Sequence, residues 1–225
     1  MILHIAGLLT PDDVRQCREA LSEASWSDGR ATAGDQSALA KRNLQISDAA
    51  PETAALRTLI LARLRANDRF MSAALPARVF PPMFNRYDTG MGFGDHIDNA
   101  LRFAEEAGGF CRTDLSCTLF LSDPEAYDGG GLVIGPGGAP MRLPAGDLLL
   151  YPGGTVHRVE PVTRGSRLAS FFWVQSMVRD ADRRTLLHDL DQAIALARRD
   201  LTDRHAAAVS LTGAYHNLVR MWADV

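Results

Sequence analysis

The sequence predicts an α+β fold: a sandwich or jelly roll of short strands flanked by helices. Three observations predict it. Between residues 77 and 175, short β-type segments alternate with Gly, Pro and Asp turns. Ahead of that region, two stretches carry apolar residues at helical spacing. Beyond residue 175 the helical period returns.

Residues 3–9 are apolar and read as a short strand. Thr10-Pro11-Asp12-Asp13 reads as a helix start, with a hydroxyl N-cap, proline at the first position and acids facing the helix dipole. Val14, Cys17, Leu21 and Ala24 continue that helix, which should end before Trp26-Ser27-Asp28-Gly29. Residues 30–42 are polar and alanine-rich without a clear period; they read as a loop and a candidate mobile flap beside a site. Asn43-Leu44-Gln45-Ile46 alternates like a strand. Pro51 opens a second helix whose stripe of Leu56, Leu59, Ile60, Leu64 and Phe70 runs towards Leu75-Pro76.

The expected strands are 79–87, 94–99, 115–121, 132–134, 141–143, 147–151, 155–159 and 168–175. Asp128-Gly129-Gly130-Gly131 and Gly135-Pro136-Gly137-Gly138 mark tight turns that need positive φ. Neither opens a helix, which argues against a phosphate cradle. Gly90, Gly92 and Gly94 read as the bend between the first two strands. Leu186, Leu187, Leu190, Ile194 and Ala197 predict a helix ending at Arg198-Arg199. A second, from about Thr202 to Trp222, completes a C-terminal hairpin that is either a dimer surface or a cap on the sheet.

Composition narrows the function classes. The 225 residues suffice for one domain with its own core. A net charge of −3 offers no basic face for nucleic acid. Lys41 is the only lysine in an arginine-rich chain. Cys17, Cys111 and Cys117 form no paired motif and are expected to be buried free thiols in a reducing, cytoplasmic setting. The N-terminus lacks the pattern of a signal peptide, and no apolar run approaches the ~18 residues that span a membrane.

The chemistry centres on His96-Ile97-Asp98. Two residues apart on a strand, the two side chains would share a face, roughly 6–7 Å apart along the backbone. His157, at the start of another β-type segment, would complete two histidines and one carboxylate. Such a triad leaves metal positions open and is typical of non-haem Fe(II) oxygenases. His4, His188, His205 and His216 have no carboxylate at ligand spacing and read as surface or satisfied core residues. Arg167 stands at the mouth of the apolar strand Leu168-Ala169-Ser170-Phe171-Phe172-Trp173 and needs an anionic partner. That partner is either a ligand carboxylate held bidentately or a nearby acid in a surface ion pair. The Phe171-Phe172-Trp173 run reads as core sooner than pocket wall.

Several motifs together carry a family resemblance. They are Arg86-Tyr87-x-x-Gly90-x-x-Phe93-x-x-His96-x-Asp98, Leu119-Phe120-Leu121-Ser122-Asp123-Pro124, Tyr127-Asp128-Gly129-Gly130, Tyr151-Pro152, His157-Arg158-Val159 and Arg167. The chain resembles the Fe(II)/2-oxoglutarate dioxygenases of the prolyl 4-hydroxylase-like group. It is most similar to the bacterial PKHD-type hydroxylases associated with iron uptake, notably in Ala169-Ser170-Phe171-Phe172-Trp173-Val174-Gln175-Ser176-Met177-Val178-Arg179.

The resemblance implies a double-stranded β-helix (jelly roll) core with N-terminal supporting helices and a C-terminal helical hairpin, divided as 1–178 and 179–225. It implies iron ligands at His96, Asp98 and His157, and 2-oxoglutarate binding by Arg167, with Tyr87 as a further contact. Fe(II), 2-oxoglutarate and O2 follow as cofactor and co-substrates, with ascorbate as a candidate reductant. The implied reaction hydroxylates an unidentified peptidyl residue or small molecule, and turns 2-oxoglutarate into succinate and CO2. An aspartate at Asp98, where a halogenase would need room for chloride, points to hydroxylation. Relatives commonly carry an acid where this chain has Gly131, which bears on substrate contacts. Two other readings use the same residues: a zinc hydrolase, which leaves Arg167 unexplained, and a non-catalytic iron or 2-oxoglutarate sensor. No nucleic-acid or membrane partner is expected; self-association through the C-terminal helices is a further expectation.

Overall fold

The computed structural model describes residues 1–32, 35–47 and 50–224. The strands are β1 (Leu3–Ile5), β2 (Trp26–Asp28), β3 (Lys41–Arg42), β4 (Leu44–Ile46), β5 (Pro76–Val79), β6 (Met83–Asp88), β7 (Gly92–His96), β8 (Leu101–Ala104), β9 (Gly109–Arg112), β10 (Leu115–Phe120), β11 (Tyr127–Gly129), β12 (Leu132–Ile134), β13 (Leu148–Pro152), β14 (His157–Val159) and β15 (Val162–Ser176). The helices are α1 (Pro11–Ser22), α2 (Asp35–Ala40), α3 (Pro51–Arg65), α4 (Asp68–Ala74), α5 (Ala181–Leu201) and α6 (Ala206–Trp222).

Two antiparallel sheets make the predicted jelly roll. The larger runs β1-β13-β10-β15-β6-β4-β2, and β5 and β11 also pair with β15. The smaller runs β12-β14-β7-β3, and β8 pairs with β9 as a separate hairpin. Strand alternation gives the larger sheet two different faces. On one, Leu115, Cys117, Leu119, Leu148, Leu150, Phe172 and Val174 pack with Val14, Cys17 and Leu21 of α1 and Leu56, Ile60 and Leu64 of α3. On the other, Tyr87, Phe120, Leu149 and Tyr151 meet Leu132, Ile134 and Val159 of the smaller sheet. Each large apolar side chain buried this way contributes about 1.5–3 kcal/mol of transfer free energy.

Local chemistry explains the element boundaries. Thr10 caps α1 by accepting from the Asp13 amide, and the Asp13 carboxylate accepts from the Thr10 amide at 2.9 Å. Arg63 of α3 donates to the same carboxylate at 2.9 and 3.0 Å, tying the two supporting helices together. The stripe from Pro51 does not form one helix as expected. It breaks between α3 and α4, where the Asn67 side chain accepts from the Phe70 amide and starts a new helix.

Other expectations need correction. Residues 30–42 are no plain loop: a 3-10 turn (Gly29–Thr32), α2 and β3 lie there, and residues 33 and 34 fall outside the described residues. The expected strand 79–87 is split into β5 and β6, with Pro81-Pro82 between them. Residues 141–143 contribute a single bridge, Met141 to Leu132. The β8–β9 hairpin and β11 were not foreseen. Of the supposed bend glycines only Gly90 has positive φ, at +84°. Gly92 and Gly94 lie inside β7 and let it approach its neighbours: a Cβ on Gly92 would stand 3.0 Å from the Val159 carbonyl oxygen.

The turns at 128–131 and 135–138 are as expected, with positive φ at Gly129, Gly130, Gly135 and Gly137. Cys17, Cys111 and Cys117 are free and buried. At the C-terminus α5 and α6 pack together, and Leu187 joins Leu75 and Val178 in a small core. Among the described residues no helix is long and apolar enough to cross a membrane.

Candidate active site

Between the two sheets lies a cavity of about 740 Å³, part of it open to solvent. All five residues singled out from the sequence line it: Tyr87, His96, Asp98, His157 and Arg167.

Antiparallel pairing brings the histidines together. His96 ends β7, His157 begins β14, and the register sets them opposite each other. Their rings are 4.2 Å apart, centre to centre. Asp98 arrives by a different route from the one expected. The strand stops at His96, so strand alternation does not orient Asp98. The Ser116 hydroxyl of β10 instead donates to Asp98 Oδ2 at 2.5 Å, and Thr113 Oγ1 anchors the next residue by donating to the Asn99 carbonyl at 2.7 Å. One ligand atom from each of His96, Asp98 and His157 then lies within 4.8 Å of the others, a spacing that can hold a metal ion.

Both imidazoles are fixed in the useful tautomer. His96 Nδ1 is 2.8 Å from the Gly94 carbonyl oxygen, and His157 Nδ1 is 2.9 Å from that of Thr155. A carbonyl only accepts, so each Nδ1 carries its proton and each Nε2 keeps a lone pair for a metal. His157 Nε2 stands 3.7 Å from Asp98 Oδ2. Phe93 stacks on His96 at 3.5 Å, and Tyr151 meets the His157 ring edge-on at 5.1 Å. Burial and the neighbouring His157 push His96 down to about 4, which keeps it neutral at pH 7.

Arg167 is 1% exposed, which rules out the surface ion pair. Its Nε and Nη2 are buried without a hydrogen-bond partner. Its guanidinium carbon lies 5.4 Å from the Tyr87 ring centre and 5.3 Å from that of Phe120. Tyr87 is opposite Arg167 in the β6–β15 register, and burial raises its phenol pKa against the pull of the Arg167 charge. A buried guanidinium with unmet donors suits a planar carboxylate.

Several cavity residues were not foreseen: Lys41, Asn43, Asn85, Arg102 and Ser116. Two signals could have found some of them. Asn85 shares the inward face of β6 with Tyr87, and Ser116 and Thr118 are polar on one face of an otherwise apolar strand. Phe171 and Trp173 also line the cavity; Phe172 reaches it too but packs in the helix-side core. The remaining histidines are engaged elsewhere. His4 bonds Asp147 at 2.7 Å, His188 bonds Ser72 at 3.1 Å, His205 caps α6, and His216 lies against Tyr215.

A jelly roll holding two histidines, a carboxylate and a buried arginine in one cavity defines a class, and a family model for the 2OG-Fe(II) oxygenase superfamily matches residues 82–175. A second model, for the PKHD-type hydroxylase C-terminal domain, matches residues 180–224. The chain belongs to the PKHD-type hydroxylases, a family whose chemistry uses Fe(II) and 2-oxoglutarate. It is 52% identical over 227 residues to a PKHD-type hydroxylase of Methylobacterium nodulans, and 53% to one of Gluconobacter oxydans, with both chains covered in full.

Among solved structures, a Pseudomonas putida prolyl-4-hydroxylase is similar at TM-score 0.51 and 22% identity, covering 78% of this chain and 92% of that one. HygX of Streptomyces hygroscopicus, with nickel and 2-oxoglutarate bound, is similar at TM-score 0.54 and 17% identity, covering 78% and 82%. These two likenesses speak for the fold. The family makes the chain an oxidoreductase of the dioxygenase type, which speaks against the hydrolase and sensor readings.

Proposed function

We propose that His96, Asp98 and His157 hold Fe(II), that Arg167 binds the far carboxylate of 2-oxoglutarate, that Tyr87 flanks it, and that the chain hydroxylates a substrate in the same cavity. Arg167 carries this reading, because its unmet buried donors face the cavity that holds the three ligand residues. The donor set fits the metal: two imidazoles and one carboxylate suit Fe(II) and leave positions open.

When bound, the pair supplies oxidative chemistry, in which O2 and 2-oxoglutarate give succinate, CO2 and a hydroxyl group on the substrate. The chain supplies orientation and exclusion of water. The backbone carbonyls of Gly94 and Thr155 aim both Nε2 atoms, and Ser116 aims Asp98. Phe93 and Tyr151 shield the imidazoles, while Tyr87 and Phe120 sandwich the guanidinium. Asp98 fills the position a halogenase would leave for chloride.

Calorimetry on metal-loaded protein without oxygen tests the assignment. Arg167→Leu should weaken 2-oxoglutarate binding roughly 30-fold or more, since a buried charge pair is lost, and should leave metal binding nearly unchanged. His96→Ala should lose the metal. Parental 2-oxoglutarate affinity in Arg167→Leu would overturn the reading.

Four finer points belong to the same proposal. The chain divides into 1–178 and 179–225, because the helical hairpin begins just after β15. That hairpin pairs two copies, on the strength of exposed Leu186, Leu196, Val209 and Met221; sedimentation would show a monomer if this is wrong. Use of ascorbate and a link to iron uptake rest on the sequence resemblance alone.

A further inference from the structure

Tyr127 opens the Tyr127-Asp128-Gly129-Gly130 turn. It is 0% exposed, yet its hydroxyl oxygen has no hydrogen-bond partner. A buried polar atom in that state is destabilising and calls for an explanation.

Strand pairing places the phenol near Arg167. β11 pairs with β15, and Tyr127 stands opposite Gly165. Arg167 is two residues further along β15, a diagonal position within reach of an aromatic or long side chain. The charges agree with that placement. Burial raises the Tyr127 phenol pKa, and the Arg167 guanidinium is near enough to pull it back down, more strongly than Arg142 does. Arg167 Nε and Nη2 are buried and unmet as well. An unused acceptor and unused donors thus adjoin at one end of the cavity.

We propose that Tyr127 is a positioning residue for 2-oxoglutarate: its hydroxyl oxygen accepts an N–H from Arg167 and holds the guanidinium in the orientation that meets the far carboxylate. This rests on the reading that Arg167 binds that carboxylate.

Hydrogen-bond capacity supports it. A guanidinium carries five N–H bonds, and a carboxylate held bidentately takes two of them. The others need acceptors from the chain. Phe120, whose ring centre is 5.3 Å from the guanidinium carbon, has no polar atom to offer. The Tyr127 hydroxyl can accept without adding charge, so it leaves the cation available to the ligand.

The turn around Tyr127 is built to hold the phenol in place. Arg142 lies over its ring at 5.7 Å and donates to its backbone carbonyl at 2.8 Å. On another side, a Cβ on Gly130 would stand 3.1 Å from Tyr127 Cε2, so the glycine lets the chain pass close against the ring. Opposite Tyr127, a Cβ on Gly165 would run into the Ala126 carbonyl oxygen, so that glycine lets β11 and β15 approach.

The test uses protein loaded with Fe(II) without oxygen, titrated with 2-oxoglutarate in a calorimeter. Tyr127→Phe keeps the ring and removes only the hydroxyl. Its affinity for 2-oxoglutarate should fall roughly tenfold, as expected for a hydrogen bond to a charged group, while metal affinity stays near that of the parent. The melting temperature without ligand should not fall, because the variant also removes an unmet buried hydroxyl. The second measurement places the same substitution in Arg167→Leu. There it should change the affinity by less than about twofold, since the group it acts through is gone. Parental affinity in Tyr127→Phe overturns the proposal, with or without a lowered melting temperature. So does a loss that persists in the Arg167→Leu background, or one that metal affinity shares, because either means that Tyr127 does not act through Arg167. If Arg167→Leu itself binds 2-oxoglutarate like the parent, the underlying reading fails, whatever Tyr127→Phe does.

Discussion

Ser116 Oγ donates to Asp98 Oδ2 at 2.5 Å, across two elements that the sequence keeps eighteen residues apart. This contact orients a carboxylate that no strand geometry aims. Ser116→Ala should therefore lower metal affinity by about 10–100-fold, the usual effect of losing such a supporting bond. The fold should tolerate the change, since Ser116 is 2% exposed and alanine fits within its volume. Metal titration checks this, with the melting temperature measured on the same sample. Unchanged metal affinity would mean that the Asn99 anchor alone holds Asp98.

Arg167→Lys tests geometry separately from charge. Lysine keeps the positive charge but loses the planar fork that meets both carboxylate oxygens. The Tyr87 and Phe120 rings also frame a flat group. The expected outcome is a KM for 2-oxoglutarate raised roughly tenfold, or about 1.4 kcal/mol, with metal affinity retained. A KM equal to that of the parent would show that charge alone suffices.

Lys41 should leave a signature in stability against pH. Burial, with the Arg102 charge beside it, lowers its ammonium from 10.5 to about 8. The unfolded chain then binds more protons than the folded one between about pH 8 and 10.5. Stability therefore rises with pH across that window, and the full penalty applies below it. Lys41→Met removes the penalty and should be more stable than the parent at pH 7, by on the order of 3 kcal/mol. The advantage should shrink as pH approaches 10. Urea unfolding at pH 7 and 9.5 measures both; a gap that widens with pH would contradict the assignment.

How much of this was legible in the sequence depends on what holds each part. The strands β6, β10, β13 and β15 were legible as β-type runs bounded by Gly, Pro and Asp turns, and they are apolar because one face packs on helices and the other faces the smaller sheet. The triad and Arg167 were legible as residue types at motif spacing. Their supports were not, since Ser116 and Lys41 reach the site through tertiary contacts. The β8–β9 hairpin was missed because its outward side chains, Leu101, Phe103 and Phe110, are apolar and exposed, which hides the inside-outside pattern. The Asn67 break was missed because apolar spacing continues across it, and only the cap marks the new helix.

Gly92 joins fold and site in a last prediction. It lies in β7, four residues before His96, where β7 pairs with β14. A Cβ there would stand 3.0 Å from the Val159 carbonyl oxygen and 3.2 Å from the Pro161 backbone. Neither neighbour is a flexible side-chain end, so backbone must move. Gly92→Ala should push β7 away from β14 and cost about 1–3 kcal/mol, as overpacking does. The same displacement separates His96 from His157, so metal affinity should fall along with the melting temperature. Gly90→Ala offers the contrast. It lies at φ +84° with nothing within 4 Å of the added Cβ, so its strain is local to the turn. It should lower the melting temperature and leave metal affinity near that of the parent. If Gly92→Ala binds metal as tightly as Gly90→Ala, then the close approach of β7 and β14 does not set the spacing of the two imidazoles.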